Sequence, residues 1–295
     1  MKKIIAAILF LFVKVNTATA QETVQLVWPF AVSANGAEWV RELANQANKS
    51  QSKYVFVFEN KPGAGGTVAA LHTLNNRGIT LMSSSSGFFI RPMLYPNESY
   101  DTRQFTPLLV ECIGSPYAVV STKYKSTAEL KKQKRLTIGV ILGTAGETVA
   151  KELQKILPST QLDFIGYPST SAGMQDLLGN ASLDLNVAVP TNVTQWQDRI
   201  NIIGYTGTAK DLNTFAKQGY NGFNELTSTY QIFAPSNLAQ DKVTELYDIL
   251  HRANATSPNI KNLYAKDLCV PVNYNREETQ VLNEKIASFW KAKLK

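Results

Sequence analysis

The chain has 295 residues, 44% hydrophobic and 18% charged, with a formal net charge of +7. That length allows one large or two medium domains. The basic excess is modest and lacks a long Lys/Arg block, which speaks against a nucleic-acid binder; two histidines and two cysteines without ligand spacing speak against a metal site.

The first twenty residues run from basic Met1-Lys2-Lys3 through an apolar stretch, Ile4 to Val13, to Ala18-Thr19-Ala20. This order predicts a secretory signal peptide over residues 1–20, cleaved after Ala20, and hence export. The apolar stretch is too short to span a bilayer, and no later segment is apolar enough. Gln21, not cysteine, stands directly after Ala20, so a lipid anchor there is not expected.

Strand-like and helix-like segments then alternate. Val24 to Trp28 reads as a strand and Pro29 to Asn35 as a loop. Gly36 to Asn48 reads as a helix with Trp39, Leu43 and Ala47 on one face. Tyr54 to Phe58, the Pro/Gly loop Asn60 to Gly66, a helix over Thr67 to Leu74 and a strand over Ile79 to Met82 follow. This rhythm predicts a mainly parallel sheet flanked by helices. Leu108 to Ser121 is a long β-type run interrupted at Gly114-Ser115-Pro116, as if one strand leaves a domain and another enters the next. In the second unit the strands are Leu136 to Ile141, Leu162 to Tyr167, Leu183 to Val189 and Ile202 to Tyr205. Helices begin near Thr127, Glu147, Ala172 and Val193, and Ser126–Glu129 and Thr144–Glu147 fit capping boxes. The cluster Lys131-Lys132-Gln133-Lys134-Arg135 ends the first of these helices, where cations suit the dipole. Tyr230 to Phe233 reads as a return strand. Helices near Gln240 to Asn254, Pro258 to Ala265 and Glu277 to Lys293 close the chain. Crossings near Ser115 and Thr229 imply an α/β fold of two lobes joined by a two-strand hinge, with lobe 1 over 21–115 and 230–295 and lobe 2 over 116–229. In such sheets ligands sit beyond the C-terminal strand ends.

Several loops could serve a ligand there. Phe30, Ala31, Ser33, Ala34 and Asn35 lie between the first strand and its helix, where free backbone N–H groups attract anions. Ser84, Ser85 and Ser86 offer hydroxyls at a strand end. Gly143, Thr144, Ala145, Gly146 and Thr148 form the counterpart in the second lobe. Arg91 either meets a second acidic group of the ligand or is solvated. Pro62 to Thr67 lacks the lysine of a phosphate loop. A serine hydrolase using Ser85 or Ser86 has no identifiable base and no GxSxG elbow. Cys112 and Cys269 fit either one disulfide or two buried thiols. Each histidine is expected on a helix surface.

The sequence resembles the periplasmic receptors of tripartite tricarboxylate transporters, the TctC or Bug-type solute-binding proteins. The resemblance is carried by Val27-Trp28-Pro29-Phe30-Ala31, Glu59-Asn60-Lys61-Pro62-Gly63-Ala64-Gly65-Gly66, Asp176-Leu177-Leu178-Gly179 with Leu183-Asp184, and Ile232-Phe233-Ala234-Pro235. It implies a type II-like periplasmic-binding-protein fold, with a small carboxylate held between the lobes for delivery to membrane permease subunits. It also implies a periplasmic location, a monomer, and neither cofactor, metal nor nucleic acid. A receptor that signals through a membrane sensor, or a divergent member without binding, would share the same scaffold. The resemblance assigns the carboxylate to the loops Phe30 to Asn35 and Gly143 to Thr148, with Tyr167 nearby. In the first loop Ser33-Ala34 replace family glycines and Ala37 an aspartate; Thr148 stands at a usual histidine and Ala188 at a common aspartate. The scaffold is therefore kept better than the pocket.

Overall fold

The computed structural model describes residues 21–32, 36–179 and 182–295. The expected signal peptide and Ser33, Ala34 and Asn35 lie outside the described residues. The first lobe opens with β1 (Glu22–Trp28), α1 (Gly36–Ser50), β2 (Tyr54–Asn60), α2 (Thr67–Asn75), β3 (Ile79–Ser84), α3 (Gly87–Leu94) and β4 (Phe105–Pro116). The second contains β5 (Ala118–Ser121), α4 (Thr127–Leu130), β6 (Arg135–Val140), α5 (Ala145–Ile156), β7 (Gln161–Gly166), α6 (Thr170–Leu178), β8 (Leu185–Ala188), α7 (Pro190–Trp196) and β9 (Asn201–Tyr205). The chain then returns through β10 (Thr227–Pro235), α8 (Gln240–Thr256), α9 (Pro258–Lys266), β11 (Val270–Pro271) and α10 (Arg276–Lys293).

The six-stranded sheet has the order β11-β4-β10-β3-β1-β2, and the five-stranded sheet β7-β6-β8-β5-β9. The chain passes between them at Tyr117, where β4 ends and β5 begins. Beside it β10 pairs antiparallel with β4, from Thr227 opposite Pro116 to Pro235 opposite Phe105. The expectation of mainly parallel sheets needs correction. β1 pairs in parallel with β2 and β3, and β6 with β7 and β8. The linking strands run the other way: β10 against β3 and β4, and β5 against β8 and β9. Each sheet is therefore mixed, because a chain that leaves one lobe and comes back must traverse the hinge in both directions.

Local chemistry explains the elements. α1 buries Trp39, Val40, Leu43, Ala44 and Ala47 on one face, a period that only a helix satisfies. Ser169 caps α6 through Ala172 N, and Ser257 caps α9 with Pro258 in the first helical turn. α10 opens on a full capping box, in which Asn275 and Glu278 exchange bonds. Neither of the two boxes expected from sequence closes in that way. The Glu129 carboxylate accepts from Lys125 N, and that of Glu147 accepts from Gly143 N at 2.7 Å. Two elements escaped the sequence pattern: α3, hidden behind its serine run, and the two-residue β11.

One apolar cluster runs through both lobes, from Val27 and Phe88 to Leu136, Leu153 and Trp290. Cys112 on β4 and Cys269 beside β11 form a disulfide, which decides between the two thiol states. His72 is not a bare surface residue: its ring meets the Glu59 carboxylate at 3.0 Å.

Candidate functional site

A cavity lies between the lobes, behind the C-terminal ends of β1, β3 and β6. Trp28, Phe30 and Tyr230 form its first-lobe wall; Ile141, Thr144, Gly146, Thr170, Val187 and Val189 form the opposite wall. Tyr117, in the hinge, and Asp267 complete it with Gly36 and Ser85. Among the described residues, none that lines it is Lys or Arg.

The aromatic wall is a packed unit. Trp28 meets Phe30 edge-on at 5.4 Å between ring centroids, and Trp39 meets Tyr230 at 4.8 Å. A Cβ on Gly36 would fall 1.7 Å from the Trp28 ring, so α1 can begin over that ring only with glycine there. The chain at Trp28 to Phe30 is pinned by Asn60, whose side-chain amide donates to the carbonyls of Trp28 (3.0 Å) and Phe30 (2.6 Å). That bond gives Asn60 of the Glu-Asn-Lys-Pro run a structural role.

Helix starts converge on this cavity. α1 begins at Gly36, α6 at Thr170, and α5 just after Thr144, while Ser85 lies two residues before α3. Thr144 Oγ1 donates to Ile141 O at 2.7 Å and accepts from Gly146 N at 3.2 Å, which fixes the start of α5. Ser85 Oγ accepts from Gly87 N at 3.3 Å. The first backbone N–H groups of a helix lack intrahelical partners, and their dipoles favour an anion. An anionic group can be held here by dipoles and hydroxyls without a cation.

The remaining polar groups are tied into the hinge. Tyr117 OH and Ser228 Oγ share a 2.6 Å bond, and Tyr117 N donates to Thr206 Oγ1 at 2.8 Å. Burial pushes the Tyr117 phenol up to about 12 and that of Tyr230 well above its ordinary value, so both stay neutral. Asp267 is 1% exposed. Its Oδ1 accepts from Thr191 N (3.1 Å) and Thr191 Oγ1 (2.9 Å), a contact from the first lobe to the second.

Of the residues expected at the site, Phe30, Ser85, Thr144 and Gly146 line the cavity. Ala31, Ser84, Ser86, Gly143, Ala145 and Thr148 do not. Ser84 is bound into the ladder opposite Gln231, and Ser86 Oγ accepts from Thr229 N at 3.1 Å. Ala145 is fully buried. Tyr167 faces a second compartment, and its hydroxyl donates to Asp176. That compartment is an outer cleft, also lined by Gly63, Gly65, Arg91, Tyr95 and Glu98. Arg91 is 5% exposed, which overturns the solvated alternative. Sequence reasoning missed Trp28, Gly36, Tyr117, Ile141, Thr170, Val187, Val189, Tyr230 and Asp267 as lining. Thr170 carried a usable signal, since it opens a helix after a strand. Asp267 carried none: it arrives from the C-terminal segment.

The model of the family described as "Tripartite tricarboxylate transporter family receptor" matches residues 39–293. No curated protein sequence matches the chain. Among solved structures, the periplasmic binding protein BugD is similar at 23% identity, covering 93% of this chain and 97% of its own, with a TM-score of 0.82. MatC from Rhodopseudomonas palustris, solved with malate, is 18% identical over 94% of this chain and 100% of its own, with a TM-score of 0.81. Rpa4515 from R. palustris, solved with adipate, is 21% identical over 93% and 96%, with a TM-score of 0.79. At these identities the likeness establishes the two-lobed periplasmic-binding-protein fold.

Proposed function

Because this chain belongs to the tripartite tricarboxylate transporter receptor family, and is thus a binding protein and not an enzyme, we propose that it captures a small carboxylate in the cavity between its lobes. The carrying observation is that helix starts from both lobes converge on a cavity whose lining, among the described residues, includes neither Lys nor Arg. A carboxylate fits that field, and two relatives of the same fold hold malate and adipate. The carboxylate would lie near Gly36, Ser85, Thr144, Gly146 and Thr170, with its carbon body against Trp28, Phe30 and Tyr230. Ser33, Ala34 and Asn35, outside the described residues, are counted with this site on the sequence alone. The domain division is 21–115 with 230–295, and 116–229, after a leader over 1–20 removed beyond Ala20. The mature protein acts in the periplasm as a monomer and delivers its solute to the membrane subunits of a tripartite transporter.

A panel of carboxylates tested by thermal shift on desalted protein checks this reading. A true ligand raises the melting temperature by mass action. The corresponding neutral amide should not. Equal shifts from acid and amide, or no shift from any acid, would overturn it.

A further inference from the structure

The outer cleft contains a cation that the inner cavity lacks. Arg91 lies in the last turn of α3 with its side chain 6% exposed, and its guanidinium carbon sits 4.0 Å above the Tyr95 ring. Nη2 is 3.2 Å from Glu98, but that glutamate's side chain is 73% exposed, and an ion pair with so solvated a partner contributes little. The Nε–H has no acceptor. A buried guanidinium with an unused donor is costly, and native proteins satisfy such groups with water, an ion or a ligand.

The Arg91 stem is held from both lobes. A Cβ on Gly65 would lie 3.3 Å from Arg91 Cδ, and one on Gly143 would lie 2.4 Å from it. Both glycines have positive φ, 61° and 80°, which lets each loop come close. The guanidinium therefore has this setting only while the lobes are together. Phe30 and Ile141 line both compartments, so the outer cleft adjoins the inner cavity. The inner cavity's described lining offers no Lys or Arg to a second acidic group, whereas the outer cleft offers Arg91.

We propose that the outer cleft is a second anion-binding subsite, built around Arg91 and completed when the lobes close. It takes an oxyanion, which the planar fork of an arginine suits. The proposal rests on the reading that the inner cavity holds a carboxylate. The oxyanion comes either from the far acid group of that same solute or from a free inorganic anion.

Calorimetry separates these cases, using monocarboxylates and dicarboxylates of matched carbon chain and inorganic phosphate alone. For at least one chain length the dicarboxylate should bind wild type about tenfold or more tighter than its monocarboxylate. Arg91→Gln should abolish that preference, and Arg91→Lys should keep part of it. Phosphate that binds wild type but not Arg91→Gln would support a subsite filled by a free anion. Without any variant, phosphate should weaken dicarboxylate binding and leave monocarboxylate binding unchanged. The subsite is overturned if matched acids bind equally, phosphate does not compete and Arg91→Gln changes nothing; monocarboxylate binding then leaves the cavity reading intact. Phosphate binding that depends on Arg91 without any carboxylate binding would overturn the cavity reading alone. Silence from every probe overturns both.

Discussion

The two walls of the cavity are made of different materials. The first-lobe wall is a set of interlocked rings, with Trp28 and Tyr230 backed by Trp39, which itself meets Tyr264 at 5.3 Å. The second-lobe wall is made of short side chains, Thr144, Gly146, Thr170, Val187 and Val189, set at helix starts. Rings fix a shape because each blocks its neighbour's rotation. Short side chains expose backbone N–H groups because nothing covers them. One lobe thus offers a rigid apolar surface and the other an electrostatic one. Side-chain caps serve helices of both lobes, but the disulfide belongs to the first alone.

The largest expected effect tests the first lobe's staple. Cys112 and Cys269 are 157 residues apart, and closing so long a loop restricts the unfolded chain. Replacing both with alanine should cost about 2–5 kcal/mol in denaturant unfolding. Since one apolar cluster passes through both lobes, a single transition should move. Two transitions would show that the lobes unfold separately and would break the link between them.

Next is Glu111, fully buried on β4, with Ser83 Oγ donating to one oxygen at 2.7 Å and the other oxygen unpartnered. Burial raises its carboxyl from 4.5 to about 7, and the Ser83 bond only partly opposes this. The folded pKa is above the unfolded one, so its stabilising contribution is complete below the unfolded value and is lost as pH rises through about 7. Glu111→Gln removes this proton linkage. It should make the protein more stable than wild type at pH 8 by up to about 3 kcal/mol, with the gain vanishing near pH 4. A stability difference that does not vary with pH would mean that Glu111 titrates as it would in water.

The smallest effect belongs to the second lobe. Thr144→Val keeps the shape but removes the cap on Gly146 N and the bond to Ile141 O. Stability should fall by about 1 kcal/mol. Carboxylate affinity should fall as well if the start of α5 is part of the site. Intact affinity in a folded Thr144→Val protein would shift the anion toward the first-lobe helix starts.

Much of the architecture follows from local pattern. Apolar residues at helical spacing placed α1, and alternating segments placed β1 to β3 and β6 to β9, because burying one face of a helix or a strand demands those periods. Small residues between a strand and a helix pointed to Thr144, Gly146 and Ser85, since helix starts need such residues whether or not a ligand binds. What sequence could not order was depth. Ser84, Ser85 and Ser86 look alike as letters, yet one sits in a ladder, one lines the cavity and one accepts from Thr229. Strand direction at the hinge, the pairing of Cys112 with Cys269, the arrival of Asp267 and Tyr230 at the cavity, and the clamping of Arg91 between Gly65 and Gly143 all join segments distant in the chain. Local periodicity specifies which face of an element is buried; only the packing of the two lobes specifies against what.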